Sequence, residues 1–243
     1  MISDKINRLY SELPATVKLV AVSKFHPFEA IREAYEAGQR IFAESRPQEL
    51  LAKVRCLEEL RAARVEEARE RGEDVEAAKD YMADIRWHFI GHLQTNKLKM
   101  VLPYVSLVQS VDSVRLLEAI QSWGAANSMT IDVLLEPHVA AEETKQGFSP
   151  EEIYGIMSQA GRYPNVRFRG IMGMATFTED EAVIRSDFAA LRSVFDTCRT
   201  RFPSACADFT ELSIGMSDDY PLAIEYGSTM VRIGSMIFGE RSY

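Results

Sequence analysis

Hydrophobic residues in this chain fall in short runs that alternate with longer amphipathic stretches. The runs are rich in β-branched residues, which is typical of buried strands. They predict eight strands, at residues 17–23, 41–43, 85–90, 105–108, 131–135, 166–171, 209–213 and 229–233.

Helical patterns lie between these runs. The stretch from Pro27 to Ala37 predicts a helix that ends at Gly38, because glycine adopts the left-handed conformation of a C-cap. Ser149 begins a sequence with proline and two acids, which predicts a helix start. We expect Asp112 to cap a helix that runs to residue 122, and a further helix over about 179–201.

Strands that alternate with helices indicate right-handed βαβ units and a parallel sheet. Eight such units in 243 residues predict an α/β fold with a single (β/α)8 TIM barrel. The alternative is an open doubly wound sheet, which would need a glycine-rich dinucleotide loop after an early strand, and none follows residues 17–23. In a barrel the active site lies on the loops after the strands.

One segment breaks this alternation. Residues 62–84 carry 12 charged side chains among 23, with opposite charges such as Glu67 and Arg71 at helical spacing. We interpret the segment as a solvated helical extension of the second helix, inserted into a single domain that spans residues 1–243. A partner-binding arm is the alternative.

Composition excludes several classes of protein. The net charge of −8 argues against nucleic-acid binding, which needs a basic face. No apolar run is long enough to cross a membrane, and the first residues lack a signal-peptide pattern. Three scattered cysteines indicate reduced thiols and a cytoplasmic protein. His88 and His92 lie four residues apart, but on a strand and its loop they share no face, so we expect no metal site.

Lys24 is the first candidate for chemistry, because it follows the end of the first strand. A lysine at the mouth of a barrel can act as a Schiff-base nucleophile when burial lowers the pKa of its amine. The alternative is an ordinary surface lysine.

The ends of the last two strands are the second candidate. Ser213, Gly215 and Ser217 follow the seventh strand, and Gly234 and Ser235 follow the eighth. Small residues and hydroxyls at these two ends are where a barrel usually binds phosphate. The alternative is a pair of tight turns that need glycine for their geometry. Strands 1 and 8 are neighbours in a closed barrel, so a small molecule with a carbonyl and a phosphate would reach both candidates.

Several motifs, spread over nearly the whole chain except residues 62–84, resemble the pyridoxal phosphate homeostasis protein family. They are Val20–Lys24, Gly38–Phe42, Trp87–Lys97, Gly170–Met174, Leu212–Asp219 and Gly227–Gly234.

The resemblance implies a single barrel of the alanine racemase N-terminal type that binds pyridoxal 5′-phosphate (PLP) as a Schiff base on Lys24. It further implies a role in intracellular PLP homeostasis, with PLP-dependent apo-enzymes as expected recipients. Arg232 would point toward the pyridine nitrogen, where its fixed charge disfavours ring protonation and weakens the ring as an electron sink. The alternative for Arg232 is a salt bridge inside the barrel.

Two further positions are expected near the cofactor. The family usually has Gly-Glu-Asn where this chain has Ala43-Glu44-Ser45, so Ser45 cannot make the contact of that asparagine. Met172 lies at the exit of strand 6 and is expected close to the ring, with packing inside the barrel as the alternative.

The enzymatic alternative is a PLP-dependent racemase or related amino-acid enzyme. Such enzymes add a β domain after the barrel, whereas this sequence stops at Tyr243, about ten residues after the last strand. We therefore expect a non-catalytic carrier or regulator, present as a monomer. A Schiff-base aldolase is a third possibility, but it would not explain Arg232.

Overall fold

The computed structural model describes residues 1–139 and 147–239, and its strands form a closed parallel barrel in chain order. This confirms the predicted (β/α)8 fold. The strands are β1 Lys18–Val22, β2 Ile41–Glu44, β3 Arg86–Phe89, β4 Val105–Val111, β5 Ile131–Leu135, β6 Val166–Met172, β7 Glu211–Ser213 and β8 Met230–Ile233.

Helices surround this barrel. They are α1 Ile2–Glu12, α2 Phe28–Glu36, α3 Pro47–Arg71, α4 Val75–Lys79, α5 Leu98–Val101, α6 Val114–Ala126, α7 Pro150–Ser158, α8 Glu181–Arg201, α9 Tyr220–Glu225 and α10 Ser235–Phe238. Sequence reasoning missed α1, although its buried Ile6 and Leu9 have helical spacing and pack the helix against its neighbours α2 and α10. Within the described residues, no helix combines the length and the apolar character needed to cross a bilayer.

Closure of the barrel joins the first strand to the last. Lys18 on β1 is in register with Met230 on β8, and Ala21 is in register with Ile233. The residues that follow β1 and those that follow β8 therefore lie side by side at the carboxyl end of the barrel.

Two apolar layers hold the barrel together. The larger one lies between the strands and the helices, and the smaller one fills the interior. The interior residues are Val20, Val22, Ala43, Leu107, Leu134, Met172 and Met230. They alternate along their strands with outward-facing residues, because successive side chains of a strand point to opposite faces. The residues two positions beyond four of them therefore face the mouth of the barrel, namely Lys24, Ser45, Met174 and Arg232.

The helix ends agree with the sequence at most positions. Ser149 and Glu152 form the expected capping box, and Gly38 follows α2 with a φ of 99°. The prediction for Asp112 was wrong: Ser113 is the N-cap of α6, and its Oγ accepts a hydrogen bond from the Leu116 N–H. The carboxylate of Asp112 instead contacts a histidine of the neighbouring strand end.

The charged stretch 62–84 comprises the end of α3, the short helix α4 and a turn. Its charged side chains face solvent, as expected for an extension of a surface helix. Met82 is buried, and Arg61 donates hydrogen bonds of 2.8 Å to the carbonyls of Tyr81 and Met82. The end of the stretch is therefore packed back onto α3.

Candidate cofactor site

A cavity of about 410 Å³ opens at the carboxyl end of the barrel. It lies where the segments after β1, β2, β3, β6, β7 and β8 converge. Its lining residues are Val22, Lys24, His26, Ser45, Ile90, Met172, Met174, Phe177, Met216, Ser217, Asp218, Arg232, Gly234, Ser235 and Gly239.

Most of the predicted site residues meet in this cavity. Those that line it are Lys24, Ser45, Met172, Ser217, Arg232, Gly234 and Ser235. They come from both ends of the chain and from its middle, and closure of the barrel is what brings them together. The arrangement places an amine, a guanidinium and hydroxyls around one space. Their individual roles toward a ligand stay predictions.

Two predicted residues are not among those that line the cavity. Ser213 is fully buried, and both its carbonyl and its hydroxyl accept hydrogen bonds from Arg232. Gly215 has a φ of 95°, and a Cβ there would lie 2.6 Å from the Cβ of Ala223. Glycine is thus needed for the tight turn from β7 to α9, and a role of Gly215 toward a ligand stays a prediction.

Arg232 is buried at the base of the cavity. Its Nη1 lies 2.6 Å from the Ser213 carbonyl oxygen and its Nη2 lies 2.8 Å from the Gly173 carbonyl oxygen. Within the described part of the chain its Nε donates no hydrogen bond. Burial lowers the pKa of Arg232 to about 10, a shift that the charges of Glu136 and Asp219 oppose. The guanidinium therefore stays charged at neutral pH, and backbone carbonyls fix its plane.

A chain of hydrogen bonds continues from Arg232 into the barrel. The Ser213 hydroxyl donates to Oε1 of Gln109 at 2.7 Å, and Gln109 Nε2 lies 2.8 Å from His88 Nδ1. Burial lowers the pKa of His88 to about 3, so the ring is neutral and accepts from the amide.

The two histidines that were weighed as metal ligands have separate environments. His92 lies 2.8 Å from Asp112, whereas His88 is bonded to Gln109. Across the described residues, no three or more histidine, cysteine, aspartate or glutamate side chains are grouped to hold a metal.

Small residues after β7 and β8 form part of the cavity wall, next to the end of β1. The Ser235 hydroxyl donates to the Ser217 hydroxyl at 3.0 Å. A Cβ on Gly234 would lie 3.2 Å from the Val22 carbonyl oxygen, so glycine keeps this wall close to β1. Hydroxyl donors on a closely approached backbone suit an anionic group.

Several residues that line the cavity were not predicted as site residues, among them His26, Phe177, Met216 and Asp218. His26 stacks on Phe238 with ring centroids 5.0 Å apart, and burial lowers the pKa of His26 with help from the positive charge of Lys53. Phe177 stands at the rim and is 88% exposed, and Met216 is partly exposed beside it. Of these residues, only His26 could have been expected at the site from the sequence, because it lies two residues after Lys24.

Known proteins resemble this chain in sequence. A family model described as the N-terminal domain of alanine racemase matches residues 1–242. A pyridoxal phosphate homeostasis protein from Aquifex aeolicus is 37% identical over 226 residues, which cover 93% of this chain and 88% of the relative. The chain belongs to the pyridoxal phosphate homeostasis protein family. The pyridoxal phosphate homeostasis protein from Homo sapiens is 36% identical and covers 100% of this chain and 83% of its own length.

A solved structure extends the family resemblance to three dimensions. PipY of Synechococcus elongatus PCC7942, determined with PLP bound, superposes with a TM-score of 0.81 at 32% identity. The match covers 98% of this chain and all of PipY. This chain and PipY thus share the same barrel.

Proposed function

We propose that this protein binds PLP and serves intracellular PLP homeostasis, with the cofactor held as a Schiff base on Lys24. The observation that supports this most directly is the single cavity that contains Lys24, the charged Arg232 and the hydroxyls of Ser217 and Ser235. These groups match the three reactive features of PLP: an aldehyde, a ring nitrogen and a phosphate.

Each residue has one task in this proposal. The amine nitrogen of Lys24 bonds to the aldehyde carbon, and the aldehyde oxygen leaves as water. Arg232 would face the ring nitrogen with its Nε, and the serine hydroxyls and the backbone N–H of Gly234 would donate hydrogen bonds to the phosphate oxygens. Ser45 and Met172 contact the ring. When bound, PLP supplies an electron sink for reactions of amines.

The same geometry favours a carrier over a racemase. Arg232 is charged and fixed by two backbone carbonyls, so it opposes protonation of the PLP ring nitrogen. Without that protonation the ring is a weaker electron sink. The relatives described above are named for homeostasis and not for a reaction. We further propose a cytoplasmic monomer that delivers PLP to apo-enzymes.

Borohydride trapping tests the proposal. Reduction of the PLP-loaded protein fixes a Schiff base, and we expect digestion and mass spectrometry to find the label on the peptide that contains Lys24. Lys24→Ala loses the visible absorbance of the Schiff base but keeps part of its affinity for PLP through the phosphate wall. Lys79→Ala, in the exposed helix α4, is the matched control and keeps both. A label on any other lysine would contradict the proposal.

A further inference from the structure

The loop that carries Lys24 has an unusual backbone. The residue after it, Phe25, has a φ of 67°, in the left-handed region that residues with a side chain rarely adopt. Strained residues of this kind persist only where their surroundings hold them, and they concentrate at functional sites. The loop is closed by a hydrogen bond of 3.1 Å from the His26 N–H to the Ser23 carbonyl.

Two side chains at the start of helix α3 contact this strained turn. The Phe25 N–H donates to the Glu49 carboxylate at 2.8 Å, and the Arg46 guanidinium lies over the Phe25 ring at 4.5 Å from its centroid. Both residues belong to the first turn of α3 or to its N-cap. The conformation next to Lys24 is thus maintained by side chains outside the cavity.

A buried ion pair lies behind the same turn. The Nζ of Lys53 on α3 lies 2.5 Å from Oε1 of Glu44 on β2, and their side chains are 8% and 0% exposed. The Lys53 amine also donates to the Ser23 carbonyl at 2.7 Å, and the Ser23 hydroxyl donates to Glu44 at 2.6 Å. Both members of the pair therefore bond to the residue that directly precedes Lys24.

Stability alone does not account for this pair. Removing two charges from water is costly, and apolar residues of similar volume often do as well in such a position. Glu44 is also incompletely satisfied, because within the described residues its buried Oε2 has no hydrogen-bond partner. Burial raises the pKa of Glu44, against the opposing charge and hydrogen bond of Lys53. The ion pair is costly in free energy, and its hydrogen bonds converge on Ser23. This combination indicates a functional role at that position.

We propose that the Lys53–Glu44 pair positions Lys24 by fixing the Ser23 carbonyl and hydroxyl, so that the Lys24 amine is presented to the PLP aldehyde. This inference rests on the proposed Schiff base at Lys24. Neither residue lines the cavity. They are positioning residues that act through the turn, and the expected effect of losing them falls on the rate of Schiff-base formation, which depends on orientation.

The experiment compares two variants of the pair. Lys53→Met alone leaves the Glu44 charge buried and unpaired, so this variant is expected to be unstable. The double variant Glu44→Gln, Lys53→Met removes both charges, keeps an acceptor for the Ser23 hydroxyl and restores folding. Its matched control is Lys18→Met, Glu211→Gln, which removes an ion pair at the opposite end of β1.

The readouts are the rate at which Schiff-base absorbance appears after mixing with PLP, and the thermal stability. We expect the folded double variant to form the Schiff base roughly ten- to a hundredfold more slowly than wild type, and the control pair to form it at the wild-type rate. Wild-type kinetics in the double variant would overturn the positioning role while leaving the proposed function intact. Failure of the wild-type protein to form a Schiff base would instead overturn the proposed function.

Discussion

At the scale of single residues, one row of polar side chains crosses the otherwise apolar interior of the barrel. Arg232, Ser213, Gln109 and His88 form a continuous chain of hydrogen bonds from the base of the cavity into the core. Buried polar groups of this kind stabilise a fold only while each has its partner. The orientation of the Arg232 guanidinium in the cavity therefore depends on residues that do not line the cavity.

The neutral state of His88 makes folding depend on pH. The pKa of this buried ring is about 3 in the folded protein, against an ordinary value of 6.5. Below pH 6.5 the unfolded chain gains a proton that the folded protein does not, so the free energy of unfolding falls as the pH drops toward 3.

Urea unfolding between about pH 7 and pH 5 measures this dependence. We expect wild type to lose stability over this interval relative to His88→Gln, which retains an acceptor for Gln109 but does not titrate. Parallel pH profiles for the two proteins would show that His88 does not carry the effect.

At the scale of elements, α3 joins two parts of the molecule. Its first half contacts the turn that contains Lys24, and its last residues form the beginning of the charged stretch 62–84. That this stretch is an insertion into a single PLP-binding domain remains our proposal. Its packed end is distinct from its solvated face, because Met82 is 1% exposed whereas the surrounding charged residues face water.

This difference predicts unequal effects of substitution within the stretch. Met82→Ala should lower the free energy of unfolding by about 2–5 kcal/mol, since it opens a cavity against the buried face of α3. Glu70→Ala, an exposed control on α3, should change it by less than about 0.5 kcal/mol. Equal effects in chemical denaturation would mean that the end of the stretch is not anchored.

The elements also show what a sequence does and does not reveal. Residues 17–23 and 229–233 are recognisable as strands because their apolar runs are short and β-branched. Lys24 could therefore be placed at a strand end and near the last strand. The Lys53–Glu44 contact could not, because it depends on how α3 packs against β2. Whether Ser213 and Gly215 line the cavity depends likewise on the register of β7 and on the turn that follows it.

At the scale of the whole molecule, the carrier role predicts transfer without turnover. We expect PLP-loaded protein to restore one equivalent of an apo-enzyme per bound cofactor. Prolonged incubation with amino-acid mixtures should leave their chirality unchanged on chiral chromatography. A racemised amino acid would support the enzymatic alternative, and Lys24→Ala, which lacks the Schiff base, is the control for both measurements.

The pairing of β1 with β8 sets the order in which the protein can acquire its cofactor. Lys24 leaves the ribosome well before Gly234 and Ser235, because β8 follows β1 at a long distance in the chain. The pocket that these residues line together therefore forms only after β8 has been synthesised and has paired with β1. The PLP binding that we propose has to wait for that pairing.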